Sequence, residues 1–262
     1  MGENFIAVEG YRVRYLEEGF SHKQHILCLH GLGASADRWA KILPLLSKEY
    51  HVVAPDIVGF GYSDKPEVYY TIDFFVNFVN KFAKKLKLER PILMGASLGG
   101  HIAAETALSD SNSVGKLVLI SPAGIMKEAT PALNHYIAAA MYPTFENAKR
   151  AFQEMTGSNK VDDTYTKDFV NRMQLPNAKY AFMSAVMGGK AAPILTDRLH
   201  KIRVPTLVVW GKKDGLIPSK FAKQFNNNIQ HSNLVMMEDC GHTPYFEKPD
   251  RFHDVVVEFL KN

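Results

Sequence analysis

A serine, an aspartate and a histidine are the residues of this 262-residue chain whose types and surroundings could do chemistry together. Ser97 sits in Gly95-Ala96-Ser97-Leu98-Gly99, a G-x-S-x-G match. A serine hydroxyl is a weak nucleophile until a neighbouring base takes its proton. His242, in Glu238-Asp239-Cys240-Gly241-His242-Thr243, is the candidate base. Asp214, in Gly211-Lys212-Lys213-Asp214-Gly215, is the candidate third member, which would orient the imidazole. Acyl transfer through serine is the reaction such a trio performs. Each residue also has a plain structural reading: a helix N-cap for Ser97, a solvated loop side chain for His242, a turn former for Asp214. From the local sequence alone, cap and nucleophile are equally good readings of Ser97.

The elements that must position these residues follow from hydrophobic spacing. Residues 5–8 and 12–17 alternate as a hairpin about Glu9-Gly10. Short apolar runs at 25–29, 51–55, 92–94, 116–120, 206–210 and 234–237 predict strands. Stretches at 35–48, 71–88, 98–108, 220–226 and 251–260 predict helices between and after them. Strand alternating with helix predicts an α/β fold, a mostly parallel twisted sheet with helices on both faces. Apolar runs without alternation fit strands covered on both sides. Ser97, Asp214 and His242 each lie just past the C-terminal end of a predicted strand, the edge where open α/β sheets build their sites. Over 123–196 the strand signal vanishes. Tyr136, Ile137, Met141, Phe152 and Phe169 fall at helical spacing, and six of the ten methionines lie there. The expected organisation is a core of 1–122 and 197–262 with a helical cap inserted at 123–196.

Composition excludes several classes. Net charge is +4 and charged residues make up 22%, without the single-sign stripe that nucleic acid requires. The basic run 81–87 reads as a solvated helix face. Two cysteines, Cys28 and Cys240, are too few for a disulfide scaffold and are expected as free thiols. No apolar run reaches the ~18 residues of a membrane span, and the first residues lack a signal-peptide pattern. The expectation is a cytoplasmic protein without membrane insertion. There is no H-E-x-x-H, no zinc spacing and no phosphate loop, so no metal or other cofactor is expected.

Five pieces together carry a resemblance. They are His30-Gly31-Leu32-Gly33, Asp56 with Gly59-x-Gly61-x-Ser63, Gly95-x-Ser97-x-Gly99-Gly100, Trp210-Gly211 with Asp214 and Pro218, and Gly241-His242 with Glu247-x-Pro249. In order and spacing the chain resembles the α/β-hydrolase superfamily along essentially its whole length. The resemblance implies Ser97 as nucleophile, His242 as base and then acid, and Asp214 as its orienter. It also implies an oxyanion hole from the backbone N–H groups of Leu32 and Leu98. Some relatives carry the acid after an earlier strand, but Ser121-Pro122-Ala123-Gly124 holds none. Asp239 is not expected to serve.

The resemblance implies hydrolysis of a carboxylic ester or thioester of a small molecule, in an apolar acyl or aryl pocket under the cap. Leu216 and Thr243, beside the trio, are candidate pocket residues. Hydrolases of C–C bonds in aromatic catabolism are the nearest alternative. They commonly carry Asn before the nucleophile and Trp after the histidine, where this chain has Ala96 and Thr243. Arg172, taken as one of several exposed arginines, could hold a substrate carboxylate. A hydrolase-fold receptor with little turnover is a third reading. A fourth is an NAD-linked oxidoreductase: Gly31-x-Gly33-x-x-Ala36 fits a dinucleotide fingerprint, with Asp56 twenty residues beyond Ala36.

Overall fold

The computed structural model describes residues 2–158 and 160–262. Its first two strands, β1 (Gly2–Val8) and β2 (Tyr11–Glu18), form the expected antiparallel hairpin. Glu9 and Gly10 both take positive φ, 50° and 87°, the turn whose twist matches that of the flanking strands. The remaining strands are β3 (His25–Leu29), β4 (His51–Pro55), β5 (Ile92–Ala96), β6 (Leu117–Ile120), β7 (Thr206–Gly211) and β8 (Ser232–Met237). The sheet order is β1-β2-β4-β3-β5-β6-β7-β8, parallel from β4 through β8. β2 runs antiparallel to β4.

The chain steps outward from β3 to β4 and then returns to place β5 on the other side of β3. At such a reversal the loops leaving the two adjacent strands diverge and open a crevice. Here those loops begin at His30 and Ser97.

Both sheet faces are covered. Along β3, Ile26 and Cys28 join one core with Trp39, Leu43 and Phe252, while Leu27 and Leu29 join the other with Phe75 and Phe82. This is why its sequence reads as a continuous apolar run. The first core is closed by α1 (Leu43–Leu46) and the C-terminal α10 (Pro249–Lys261), the second by α2 (Ile72–Lys85), α3 (Leu98–Ser109) and α8 (Ala222–Asn228). The single helix expected over 35–48 is instead a 3-10 turn, Ala36–Trp39, followed by the four-residue α1. Pro44 has no N–H to donate and is tolerated only in a first helical turn, so α1 begins around it.

Between β6 and β7 lie four helices, α4 (Pro131–Met141), α5 (Phe145–Thr156), α6 (Asp163–Met173) and α7 (Ala178–Ala191). Thr130, Thr144 and Asp162 cap the first three, each accepting a backbone N–H at the start of its helix. Each cap contributes about 1 kcal/mol. One ring from each helix meets the others: Tyr136 lies 6.2 Å from Phe152, 5.6 Å from Phe169 and 6.1 Å from Phe182. A short α9 (Pro244–Glu247) precedes α10. Among the described residues no helix is long and apolar enough to cross a membrane. Cys28 and Cys240 are unpaired and buried.

Candidate active site

Ser97 occupies the single residue between β5 and α3, with φ 55° and ψ −117°. That conformation strains a non-glycine residue by about 1–3 kcal/mol. It survives because the backbone is pinned: Ser97 N–H donates to the Ile120 carbonyl, and its carbonyl accepts from His101 and Ala123, all at 3.0 Å. The flanking glycines make the turn sterically possible. A Cβ on Gly95 would lie 2.2 Å from the Gly99 carbonyl oxygen, and one on Gly99 would lie 2.1 Å from that of Leu29. The N-cap reading fails on geometry, because the Ser97 side chain makes no capping hydrogen bond. Leu98 opens α3, so its N–H has no partner within the helix. The loop after β3 crosses Ser97 closely: a Cβ on Gly31 would sit 3.2 Å from Ser97 Cβ.

The other two residues arrive from β7 and β8. Asp214 is buried, and its Oδ1 accepts the N–H groups of Leu216 and Ile217, both at 2.9 Å. Its Oδ2 lies 2.8 Å from His242 Nδ1. A carboxylate can only accept, so Nδ1 is the donor, and in the neutral ring this leaves the lone pair on Nε2. The His242 N–H donates to the Met155 carbonyl of α5 at 3.1 Å, which fixes the loop from above. Asp239 points to solvent and pairs loosely with Lys213 at 3.6 Å. Ser97 and His242 line one cavity of about 680 Å³, shared by Leu32, Leu98, Leu216 and Thr243. That volume suits a small organic ligand.

A family model described as alpha/beta hydrolase fold matches residues 24–249. The chain belongs to the alpha/beta hydrolase family. It is similar, at 30% identity over 270 residues, to a 2-hydroxy-6-oxo-6-(2'-aminophenyl)hexa-2,4-dienoic acid hydrolase of Metapseudomonas resinovorans, covering 98% of this chain and 90% of that one. It is also similar to a monoacylglycerol lipase of Homo sapiens, at 26% identity over 278 residues, covering 99% of this chain and 82% of the relative. Among solved structures, a meta-cleavage product hydrolase from Pseudomonas fluorescens superposes with a TM-score of 0.89 at 28% identity, covering 98% and 97% of the two chains.

Within this hydrolase the residues of the apparent dinucleotide fingerprint have other work. Asp56 is fully buried and accepts the N–H groups of Ala36 at 2.6 Å and Tyr62 at 2.7 Å, with Arg14 3.3 Å away. No oxygen is left for a ribose. A Cβ on Gly33 would lie 2.8 Å from the Phe182 ring, so α7 occupies the approach that a pyrophosphate would need. The segment after Gly33 opens a 3-10 turn rather than a long helix.

Two arginines change the sequence reading. Arg172, expected on the surface, is 2% exposed. Its Nε and Nη2 have no hydrogen-bond partner, and its guanidinium lies 5.5 Å from the centre of the Tyr165 ring, which lines the cavity. The cause is tertiary: α6 turns this face inward onto the core. Arg38, which no motif marked, lines the cavity itself. It donates to Thr243 Oγ1 at 3.0 Å and is stacked between Tyr165 and Phe246 at 3.9 and 4.1 Å. Among the described residues neither guanidinium is in an ion pair. Tyr136 of α4 was also missed as a site residue. It lines the cavity and donates its hydroxyl to the Leu32 carbonyl at 2.7 Å.

Proposed function

We propose that this hydrolase cleaves carboxylic esters through an acyl-serine intermediate. The observation that carries this reading is the Asp214–His242 pair opening on the same cavity as a strained, uncapped Ser97. Ser97 Oγ attacks the acyl carbon while His242 Nε2 takes its proton. The oxyanion is held by the N–H groups of Leu32 and Leu98. His242 then returns the proton to the departing alcohol, and water clears the acyl-enzyme by the same route. Residues 123–196 act as the cap, and Met126, Leu133, Ile137 and Val186 supply its apolar wall. The monoacylglycerol lipase relative supports an ester of that apolar kind.

A second reading, hydrolysis of a C–C bond in a carboxylate-bearing substrate, is supported by two features. One is the relative whose name specifies a dienoic acid. The other is Arg38, a buried guanidinium that lines the cavity without a counter-ion, since an unpaired buried charge is costly unless a ligand completes it. Ala96 and Thr243 remain departures from that group.

Hydrolysis of p-nitrophenyl acetate and butyrate by wild type and Ser97→Ala tests the first reading. Wild type is expected to turn over both, and the variant to lose about 10⁴-fold or more. Nitrophenol release no faster in wild type than in the variant would remove the esterase reading and favour the C–C or receptor alternatives.

A further inference from the structure

We infer that Tyr136 is a positioning residue that locks the oxyanion turn, so that seating of helices α4–α7 and competence of the oxyanion hole are one event. The inference rests on the acyl-serine reading above.

The turn is closed by Ala34 N–H donating to the Gly31 carbonyl at 3.2 Å, which puts Leu32 and Gly33 at its two central positions. Gly33 has φ +66°. Among the common turns that sign belongs to type II, where the third residue sits near about +80°, and not to type I, where it sits near about −90°. A glycine there tolerates either, so the peptide between Leu32 and Gly33 can flip at little cost. A flip changes ψ at Leu32 and φ at Gly33, and with them the set of the turn that carries the Leu32 N–H.

Among the described residues one side chain hydrogen-bonds that peptide. The Tyr136 hydroxyl donates to the Leu32 carbonyl at 2.7 Å, and a Cβ on Gly33 would lie 3.5 Å from the same hydroxyl oxygen. Tyr136 is 6% exposed and is fixed by rings from α5, α6 and α7. Burial pushes its phenol well up from the ordinary value, so it stays a donor at any working pH. The four helices thus reach the Leu32–Gly33 turn through the Tyr136 hydroxyl, and the turn type records whether they are seated.

The test is Tyr136→Phe, which removes one oxygen and keeps the ring cluster. Three quantities are compared with wild type: ester kinetics, the rate at which a fluorophosphonate labels Ser97, and affinity for a trifluoromethyl ketone, whose adduct carries an oxyanion. A fall in kcat of about tenfold is expected, smaller than the loss of an oxyanion donor because the donor is kept. KM should stay within about twofold, and ketone affinity should fall by the same factor as kcat/KM. Thermal midpoint is measured alongside, and Tyr136→Leu, which disrupts the ring cluster as well, should lose more stability without a proportionate further loss of kcat. Labelling of wild type and Tyr136→Phe at equal rates would overturn the tether while leaving the serine hydrolase reading intact. A rise in KM that accounts for the whole loss would overturn it too. Failure of the probe to label wild type at Ser97 would remove both.

Discussion

His30 is where protonation and architecture meet. Its Nε2 accepts the Ile57 N–H at 3.0 Å, so the proton sits on Nδ1, which donates to the Gly31 carbonyl at 2.8 Å. The ring is fully buried, and that burial holds its protonation below the ordinary imidazole value of about 6.5. A second proton would also set a ring N–H against the Ile57 N–H. The sign follows from linkage: below about pH 6.5 the unfolded chain takes up a proton that the folded chain refuses, so stability falls as pH falls. The thermal midpoint should therefore drop steadily from pH 7 to pH 5. His30→Asn, less stable at pH 7, should show a shallower slope, and equal slopes would exclude His30 as the source.

The elbow between β5 and α3 is an element-scale device. Its two glycines are there to let a strand, a helix and the neighbouring β3 backbone meet, and Ser97 is lifted to the crevice by that packing. Gly99→Ala would place a methyl 2.1 Å from the Leu29 carbonyl oxygen. It should cost about 3 kcal/mol or more, with activity lost, because strand and helix cannot both stay in place. Gly189, inside α7, provides the contrast: nothing lies within 4 Å of its Cβ position. Gly189→Ala should stabilise by about 0.4–1 kcal/mol through the unfolded chain. Urea titration of both variants distinguishes a packing requirement from a general cost of losing glycine.

Across the whole molecule, helices α4–α7 and the loops after β7 and β8 are fitted to one another. Cβ atoms on Gly215 and Gly241 would lie 2.1 Å from the Glu154 carbonyl oxygen and 2.4 Å from the Thr156 Cα, at the end of α5. The loops bearing Asp214 and His242 are thus shaped against the C-terminal turn of α5. Arg172 of α6 is buried with its Nε and Nη2 lacking a hydrogen-bond partner. A buried charge left without a counter-ion is strongly destabilising, and an apolar residue of similar size removes that cost. Arg172→Met should therefore raise the urea midpoint. If a substrate carboxylate completes that charge, the variant should also raise KM for an acid-bearing substrate at least tenfold and leave a neutral ester unchanged. A lower midpoint with both KM values unchanged would make Arg172 a purely structural residue.

Local patterns in the chain specify the strands, the hairpin and the helical texture of 123–196, because burial on two faces, a Glu-Gly turn and helical spacing are all local, whereas the strand order is not. The same patterns put Ser97, Asp214 and His242 just past predicted strand ends, whereas Leu32 and Leu98 come only from the family resemblance. What the sequence did not carry was anything set by contact between distant segments. The expected helix at 35–48 broke around Pro44. Asp56, read on paper as a ribose ligand, was consumed by Ala36, Tyr62 and Arg14. Arg38, Tyr136 and the burial of Arg172 became visible only in the tertiary structure, because a helix pattern tells which residues share a face but not which distant surface that face meets.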